Sequence, residues 1–140
     1  MMNMRIYGNP LRDRGFTLIE LLVTVAIIAI LSTIALTSYR EQVIKSRRAA
    51  AAVCLQERAQ FMERYFSTNL SYLGAEAAQC DDVLEYYRIA FSEGPTARAF
   101  TLSATPEGSQ ETDDTKCATL TVNEQGTRTS SGSGTLAECW

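Results

Sequence analysis

The 140-residue chain contains no histidine, and this absence narrows the chemistry open to it. Histidine is the most frequent general base and metal ligand of proteins. The sequence also has no phosphate-cradling glycine loop and no nucleophile beside a recognisable base. Thr129-Ser130 is interpreted as part of a solvated loop, and Asp81-Asp82 and Asp113-Asp114 as turn formers. The sequence therefore predicts a protein that is not an enzyme and that uses no cofactor.

Closely spaced cysteine pairs are also missing. Zinc sites usually hold cysteines in C-x₂₋₄-C pairs, whereas the four cysteines here are far apart in the sequence, at Cys54, Cys80, Cys117 and Cys139. An even number of cysteines behind a membrane-targeting segment is typical of disulfides in an oxidising compartment. We therefore expect two disulfides rather than a metal site.

Proline and glycine are absent between Phe16 and Phe66, which predicts one helix of about 50 residues. Its second half is amphipathic, because apolar residues recur near the 3.6-residue period on one stripe. We expect this stripe to pack on a sheet; its members are Val43, Ala50, Cys54, Leu55, Phe61, Met62 and Tyr65.

The first half of this helix is an apolar run that ends at Leu36 and holds one ionisable side chain, Glu20. A run of about 20 apolar residues can cross a bilayer, yet a carboxylate inside it costs about 2.5–3.5 kcal/mol. A secretory signal peptide would be shorter, and a plain membrane anchor would leave the acid unexplained. Glu20 must therefore serve some purpose.

Residues Gly15-Phe16-Thr17-Leu18-Ile19-Glu20, preceded by a short basic segment, resemble the processing signal of the type IV prepilin family. The resemblance implies that a prepilin peptidase cleaves between Gly15 and Phe16 and methylates the new amine of Phe16. It also implies anchoring in the inner membrane with the N-terminus in the cytoplasm, and then transfer by the inner-membrane pilus assembly machinery into an extracellular filament. Other pilin subunits would be contacted through the N-terminal helix.

The electrostatics of Glu20 agree with this resemblance. Cleavage would leave a positive amine on Phe16, and a carboxylate one helical turn away on a neighbouring subunit could neutralise it. Breaking such a buried pair costs about 3–5 kcal/mol. Glu20 is thus predicted to set the register of assembly.

Charge is divided unevenly along the rest of the chain. Basic residues are concentrated in residues 37–66, and we interpret Arg40–Arg48 as a collar that meets lipid headgroups rather than nucleic acid. From Ser67 onward acids outnumber bases, and the bases are Arg88, Arg98, Lys116 and Arg128. Nucleic-acid binding, which depends largely on Lys and Arg, is therefore possible but not favoured.

The predicted fold class is α+β, with the long N-terminal helix packed on a small antiparallel sheet. Short alternating runs predict strands at residues 86–92, 99–105 and 117–122, with a weaker fourth strand from Thr127. We divide the chain into a leader (1–15), a membrane and filament-core half-helix (16–36), an amphipathic half-helix (37–66), and a connector with the sheet head (67–140). Residues 130–134 are too rich in Ser and Gly for regular structure.

Four cysteines allow three pairings. Cys117 and Cys139 bracket the last predicted strand and the Ser/Gly-rich loop, so a bond between them would fix a segment that buries little apolar surface. Cys54 lies on the helix and Cys80 in the connector. We therefore favour Cys54–Cys80 and Cys117–Cys139, and a disulfide-stapled C-terminal region.

A narrower resemblance comes from Lys116–Thr121, Gly126 and the terminal Cys139-Trp140, which are similar to PilE-type minor pilins. It implies a low-copy pilus subunit that takes part in pilus assembly, twitching motility and cell adhesion. Two alternatives remain open. One is a DNA-receptor pilin of the ComP type, which shares the four-cysteine plan, and the other is a pseudopilin of a type II secretion system, which shares Gly15–Glu20.

Overall fold

The structure is a computed structural model that describes residues 15–83 and 85–140. The predicted leader, apart from Gly15, lies outside the described residues. The elements, in chain order, are helix α1 (Leu18–Asn69), a 3₁₀ turn (Asp81–Val83), strands β1 (Tyr87–Glu93) and β2 (Thr101–Pro106), helix α2 (Ser109–Asp113), strands β3 (Leu120–Asn123) and β4 (Arg128–Ser130), and helix α3 (Leu136–Cys139).

Helix α1 confirms the predicted long helix, with both ends shifted by two or three residues. It begins at Leu18 because Thr17 caps it: the backbone N–H of Glu20 donates to Thr17 Oγ1 at 3.3 Å, which satisfies a free donor of the first turn. It ends where Leu70 adopts a left-handed conformation with φ 54°, as at many helix C-termini.

Contacts within the chain divide it between Ser38 and Tyr39 into two units. In the first unit, α1 is long and apolar enough to cross a membrane, and none of its apolar stretch is buried. The hydroxyl groups of this stretch donate to carbonyl oxygens three or four residues earlier, as those of Thr24, Ser32 and Thr33 do. Because these groups are already satisfied, they fit an apolar environment.

The second unit holds an antiparallel sheet of order β1-β2-β3-β4. All four strands were predicted, so the meander is confirmed. The third strand begins at Leu120 rather than at residue 117, because Ala118 has φ 50° and its N–H donates to the carbonyl of Asp114 in a tight turn. The connector, predicted from Ser67, begins only after α1 ends at Asn69, and from there to residue 83 it is irregular except for the 3₁₀ turn.

The core lies between one side of α1 and one face of the sheet. Helix residues Leu55 and Met62 are buried against sheet residues that include Tyr87, Ile89, Leu102 and Leu120. The predicted helix stripe is wrong in part. Phe61 is 40% exposed, whereas Arg48 and Ala51, which the stripe omitted, are buried.

Two disulfides join the pairs that the sequence favoured. Cys54 on α1 bonds Cys80 in the connector, and Cys117 bonds Cys139 at the end of the chain. Each closes a loop of more than 20 residues, a constraint worth about 3 kcal/mol in the chain-entropy model. The C-terminal region is therefore stapled to the turn before β3.

Helices α2 and α3 were not predicted, because elements of four or five residues are too short for apolar periodicity to register. A local signal for α3 was nevertheless present. Thr135 and Glu138 form a capping box, and the spacing S/T-x-x-E is visible in the sequence.

The Ser/Gly-rich loop before α3 passes close to the backbone of Lys116. A β-carbon on Gly132 would lie 2.2 Å from the Lys116 carbonyl oxygen. The Gly132 N–H also donates to the Cys117 carbonyl at 3.1 Å. Glycine is therefore required here by close approach of the two backbones.

We expect Gly132→Ala to destabilise the second unit by about 1–3 kcal/mol, because rigid backbone must move to admit the methyl group. The control Ser133→Ala, at an exposed neighbouring position, should stay within about 0.5 kcal/mol of the parent. Unfolding of the full chain in detergent can be followed by fluorescence of its single tryptophan, Trp140, which lies in this unit. Equal stability of the two variants would contradict the account.

Candidate processing and assembly site

The predicted cleavage junction lies just before α1. Gly15, Phe16 and Thr17 are exposed and not helical, and the side chain of Phe16 is 80% exposed. A β-carbon on Gly15 would meet no heavy atom within 4 Å. Nothing in the described structure therefore requires glycine at position 15.

Glu20 lies in the first turn of α1, and its side chain is exposed. Among the residues that the structure describes, it makes no ion pair. The neighbouring side chains Ile19, Leu21, Leu22 and Val23 are apolar and exposed. A carboxylate in such a surface is stable in water, but lipid or a packed protein surface must offer it an opposite charge or a hydrogen-bond donor.

Cations in the sheet head are mostly engaged by other side chains. Arg88 pairs with Glu107, and Lys116 Nζ lies 2.6 Å from Glu138 Oε1. The hydrogen bond from Lys116, followed by those from the backbone and hydroxyl of Thr135, lowers the pKa of Glu138 to about 2.

Two head arginines lack a carboxylate partner among the described residues. Arg98 is exposed in the turn between β1 and β2, and the Arg128 guanidinium lies 5.1 Å from the ring centroid of Trp140. Few cationic side chains of the head are therefore available to bind phosphate.

A buried ion pair in the second unit was missed by the sequence analysis. Arg48 Nη1 lies 2.5 Å from Asp114 Oδ1, with both side chains at least nine-tenths buried. Arg48 Nη2 also donates to the Glu138 carbonyl oxygen at 3.2 Å. Arg48 therefore joins α1 to the C-terminal region and does not belong to the exposed collar to which we assigned it.

Asp114 is likewise more than a turn former. It caps the C-terminus of α2 and accepts hydrogen bonds from Arg48, from the Tyr87 hydroxyl at 2.9 Å and from Gln110 Nε2 at 3.3 Å. Burial raises the pKa of Tyr87, so its hydroxyl stays protonated and can donate. No sequence signal distinguished Asp114 from Asp113, because Arg48 and Tyr87, which bond Asp114, come from distant parts of the chain.

No three potential metal-ligating side chains converge anywhere in residues 15–83 or 85–140. The four cysteines form disulfides and Asp114 is paired with Arg48, so these side chains are not available as metal ligands. The described chain thus offers an apolar helix, one lone acid and a cross-linked head.

These features define a type IV pilin, and comparisons with known proteins agree. A model described as "Prokaryotic N-terminal methylation motif" matches residues 10–36. A model described as "Type IV minor pilin ComP, DNA uptake sequence receptor" matches residues 37–121. Because the second match covers more than half of the chain, the chain belongs to this family of type IV minor pilins.

Solved structures give the same result. The chain is 26% identical to a type IV pilin from Shewanella oneidensis, with a TM-score of 0.55 over 69% of this chain and 97% of that one. It is also 26% identical to the non-core minor pilin PilV of Neisseria meningitidis, with a TM-score of 0.53 over 70% of this chain and 94% of that one. No curated protein matches the chain.

The predicted pilin fold is therefore confirmed, and the family is one of structural subunits. The matched family model is that of the ComP-type pilins, which the sequence analysis kept as an alternative to the favoured PilE-type ones. The methylation motif and the apolar helix indicate membrane anchoring before assembly into the pilus. The family also implies other pilins and a prepilin peptidase as partners.

We expect Arg48→Met to destabilise the head by about 3–5 kcal/mol, because it leaves the Asp114 carboxylate buried without a counter-charge. Arg88→Met is the matched control: it breaks the exposed pair with Glu107 and should cost no more than about 1 kcal/mol. Urea unfolding of the full chain in detergent, followed by Trp140 fluorescence, compares the two. Similar losses for both variants would contradict a structural role for the buried pair.

Proposed function

We propose that this chain is a low-copy subunit of a type IV pilus, made as a membrane-anchored precursor and cleaved between Gly15 and Phe16. Methylation of the Phe16 amine follows, and the mature chain then enters the filament. As a pilus component it takes part in pilus assembly, and through the assembled fibre in twitching motility and adhesion. The inner-membrane assembly machinery moves it from the bilayer to the fibre.

One observation carries this proposal: the apolar half of α1 is exposed among the residues that the structure describes. Large apolar side chains from Leu18 to Leu36 are half to four-fifths exposed, and Glu20 is the one ionisable group among them. In water such a surface would associate without specificity. Lipid before assembly, and the helices of other subunits afterwards, provide the two environments that suit it.

Glu20 gives that association a register. After cleavage the new amine of Phe16 would lie four residues from Glu20, about one helical turn. The amine of one subunit and the Glu20 carboxylate of its neighbour neutralise each other when their helices are correctly aligned. A misaligned pair of helices leaves both charges in apolar surroundings, which is unfavourable by several kcal/mol.

The proposed boundaries follow from these roles. Residues 1–15 form the leader that cleavage removes, and residues 16–36 form the part that leaves lipid for the filament core. Residues 37–66 carry the head and contribute to its core, and residues 67–140 are displayed on the fibre surface. The two disulfides suit a head exposed to an oxidising exterior.

Mass spectrometry of the subunit recovered from sheared pili tests processing and incorporation together. We expect an N-terminus at Phe16 carrying one added methyl group. Gly15→Val is the matched variant, because the open space around Gly15 admits a side chain without disturbing the fold. This variant should remain uncleaved in the membrane, and a different N-terminus in the filament would refute the proposed processing.

A second candidate function is DNA reception during natural transformation, and the match to the ComP family model over residues 37–121 favours it. The head supports only a modest electrostatic contribution, since Arg98 and Arg128 are its cations without carboxylate partners among the described residues. Recognition would then depend on shape and on hydrogen bonds to bases more than on phosphate neutralisation.

For DNA binding by the full chain in detergent, we expect log K to fall with log salt with a slope of about −2 to −4, as for two to four phosphate contacts. Fluorescence anisotropy with duplexes carrying or lacking an uptake sequence measures this slope and the specificity. Arg98→Gln with Arg128→Gln should weaken binding more than the control Arg88→Gln, because Arg88 is paired. Absence of salt-dependent binding would reject DNA reception while leaving the subunit role intact.

A further inference from the structure

Two basic residues just beyond the apolar run, the exposed Arg40 and the half-buried Arg47, line a cavity in the second unit. This collar cavity, of about 330 Å³, is bounded on α1 by Tyr39, Arg40, Val43, Ile44 and Arg47, and on α2 by Asp113. Its position in the chain is informative, because Arg40 follows Leu36, the last residue of the apolar run, by only four residues.

Arg40 and Arg47 lie on the same face of α1, because seven residues make almost two full turns. Val43 and Ile44, between them in the sequence, are half-buried and form an apolar floor. Among the described residues, Arg40 makes no ion pair. Two guanidinium groups therefore line one cavity, with free donors on each.

Arg47 is held in place before any ligand arrives. Its guanidinium lies 3.6 Å from the ring centroid of Tyr86, and its Nη1 makes a long 3.5 Å hydrogen bond to Ser109 Oγ. Stacking on an aromatic face leaves the in-plane N–H donors of the guanidinium available. Less side-chain entropy is therefore lost when Arg47 binds an anion.

We propose that the collar cavity binds the phosphate of an anionic phospholipid headgroup while the chain is anchored in the membrane. Guanidinium groups match phosphate oxygens in bidentate geometry. The charges agree with one phosphodiester, because Arg40 and Arg47 against Asp113 leave a single positive charge to neutralise. Tyr39, which is 69% exposed, is the residue type that lies at the membrane–water interface.

Nearby acidic groups limit the site to one anion. Glu41 and Lys45 line the adjoining cavity together with Arg48, Asp113 and Asp114, and Arg48 is already paired with Asp114. Fewer basic residues of the segment Arg40–Arg48 are therefore available to bind an anion than the sequence suggests. Its headgroup contact would hold the head at the bilayer surface and would have to break when the subunit leaves for the filament.

Native mass spectrometry of the full chain in detergent tests the proposal, with phosphatidylglycerol or phosphatidylcholine added to the micelles. We expect preferential retention of phosphatidylglycerol, and a loss of affinity of about tenfold or more in the variant Arg40→Gln/Arg47→Gln. The control Arg64→Gln/Arg88→Gln removes two exposed arginines elsewhere and should bind like the parent. If the double variant unfolds, Arg40→Gln alone, at an exposed position, tests the proposal in its place.

Several outcomes would overturn the proposal. Equal retention of the two lipids, or unchanged phosphatidylglycerol binding by Arg40→Gln/Arg47→Gln, would show that the cavity does not select an anionic headgroup. Equal displacement by glycerol phosphate at the same concentration would indicate a soluble phosphate ligand instead. If the double variant kept its lipid but failed to enter filaments, the cavity would belong to a contact with the acidic head of a neighbouring subunit.

Discussion

The constraint on which the rest of this structure depends is that the apolar stretch of α1 is exposed in the part of the chain that the structure describes. Backbone groups form hydrogen bonds within the helix, and the hydroxyl groups donate to carbonyl oxygens of the preceding turn. These polar groups therefore need no hydrogen-bond partner from outside the helix in lipid. Glu20 is the exception, because its carboxylate makes no ion pair among the described residues. In the proposed function, its carboxylate is tolerated in the bilayer at some cost and would gain a partner when another subunit brings an amine to it, so the same residue would favour departure from the membrane.

The head must stay folded through that transfer, and it is cross-linked accordingly. Cys54–Cys80 holds the connector on α1, while Cys117–Cys139 and the Arg48–Asp114 pair hold the C-terminal region. The buried pair fixes the position of the C-terminal region on α1 more than it adds net stability, since apolar residues that replace both members of such a pair are often as stable. Its removal on one side only is what the fold cannot tolerate. Exposed pairs such as Arg88–Glu107 contribute little to the stability of the head.

Sequence reasoning found the long helix, all four strands and both cysteine pairs, because each has a local signal: absence of Pro and Gly, alternation, or position beside a loop. It missed what depends on distant residues meeting. Arg48 was interpreted as surface charge and Asp114 as a turn residue. The residues around each of them in the sequence do not indicate that the two side chains are buried and form an ion pair. Phe61 was placed on the packing stripe on periodicity alone, but it is 40% exposed, whereas the neighbouring Met62 is buried.

The most direct test of the central claim is the incorporation of a Glu20→Ala variant into filaments, measured as the ratio of this subunit in sheared pili to that in membranes. The account predicts that membrane insertion persists, since an acid is removed from lipid, while incorporation falls severalfold or more. The control Glu57→Ala, at an exposed position on the same helix, should be incorporated normally. Normal incorporation of Glu20→Ala would contradict the pairing of Glu20 with a neighbouring amine.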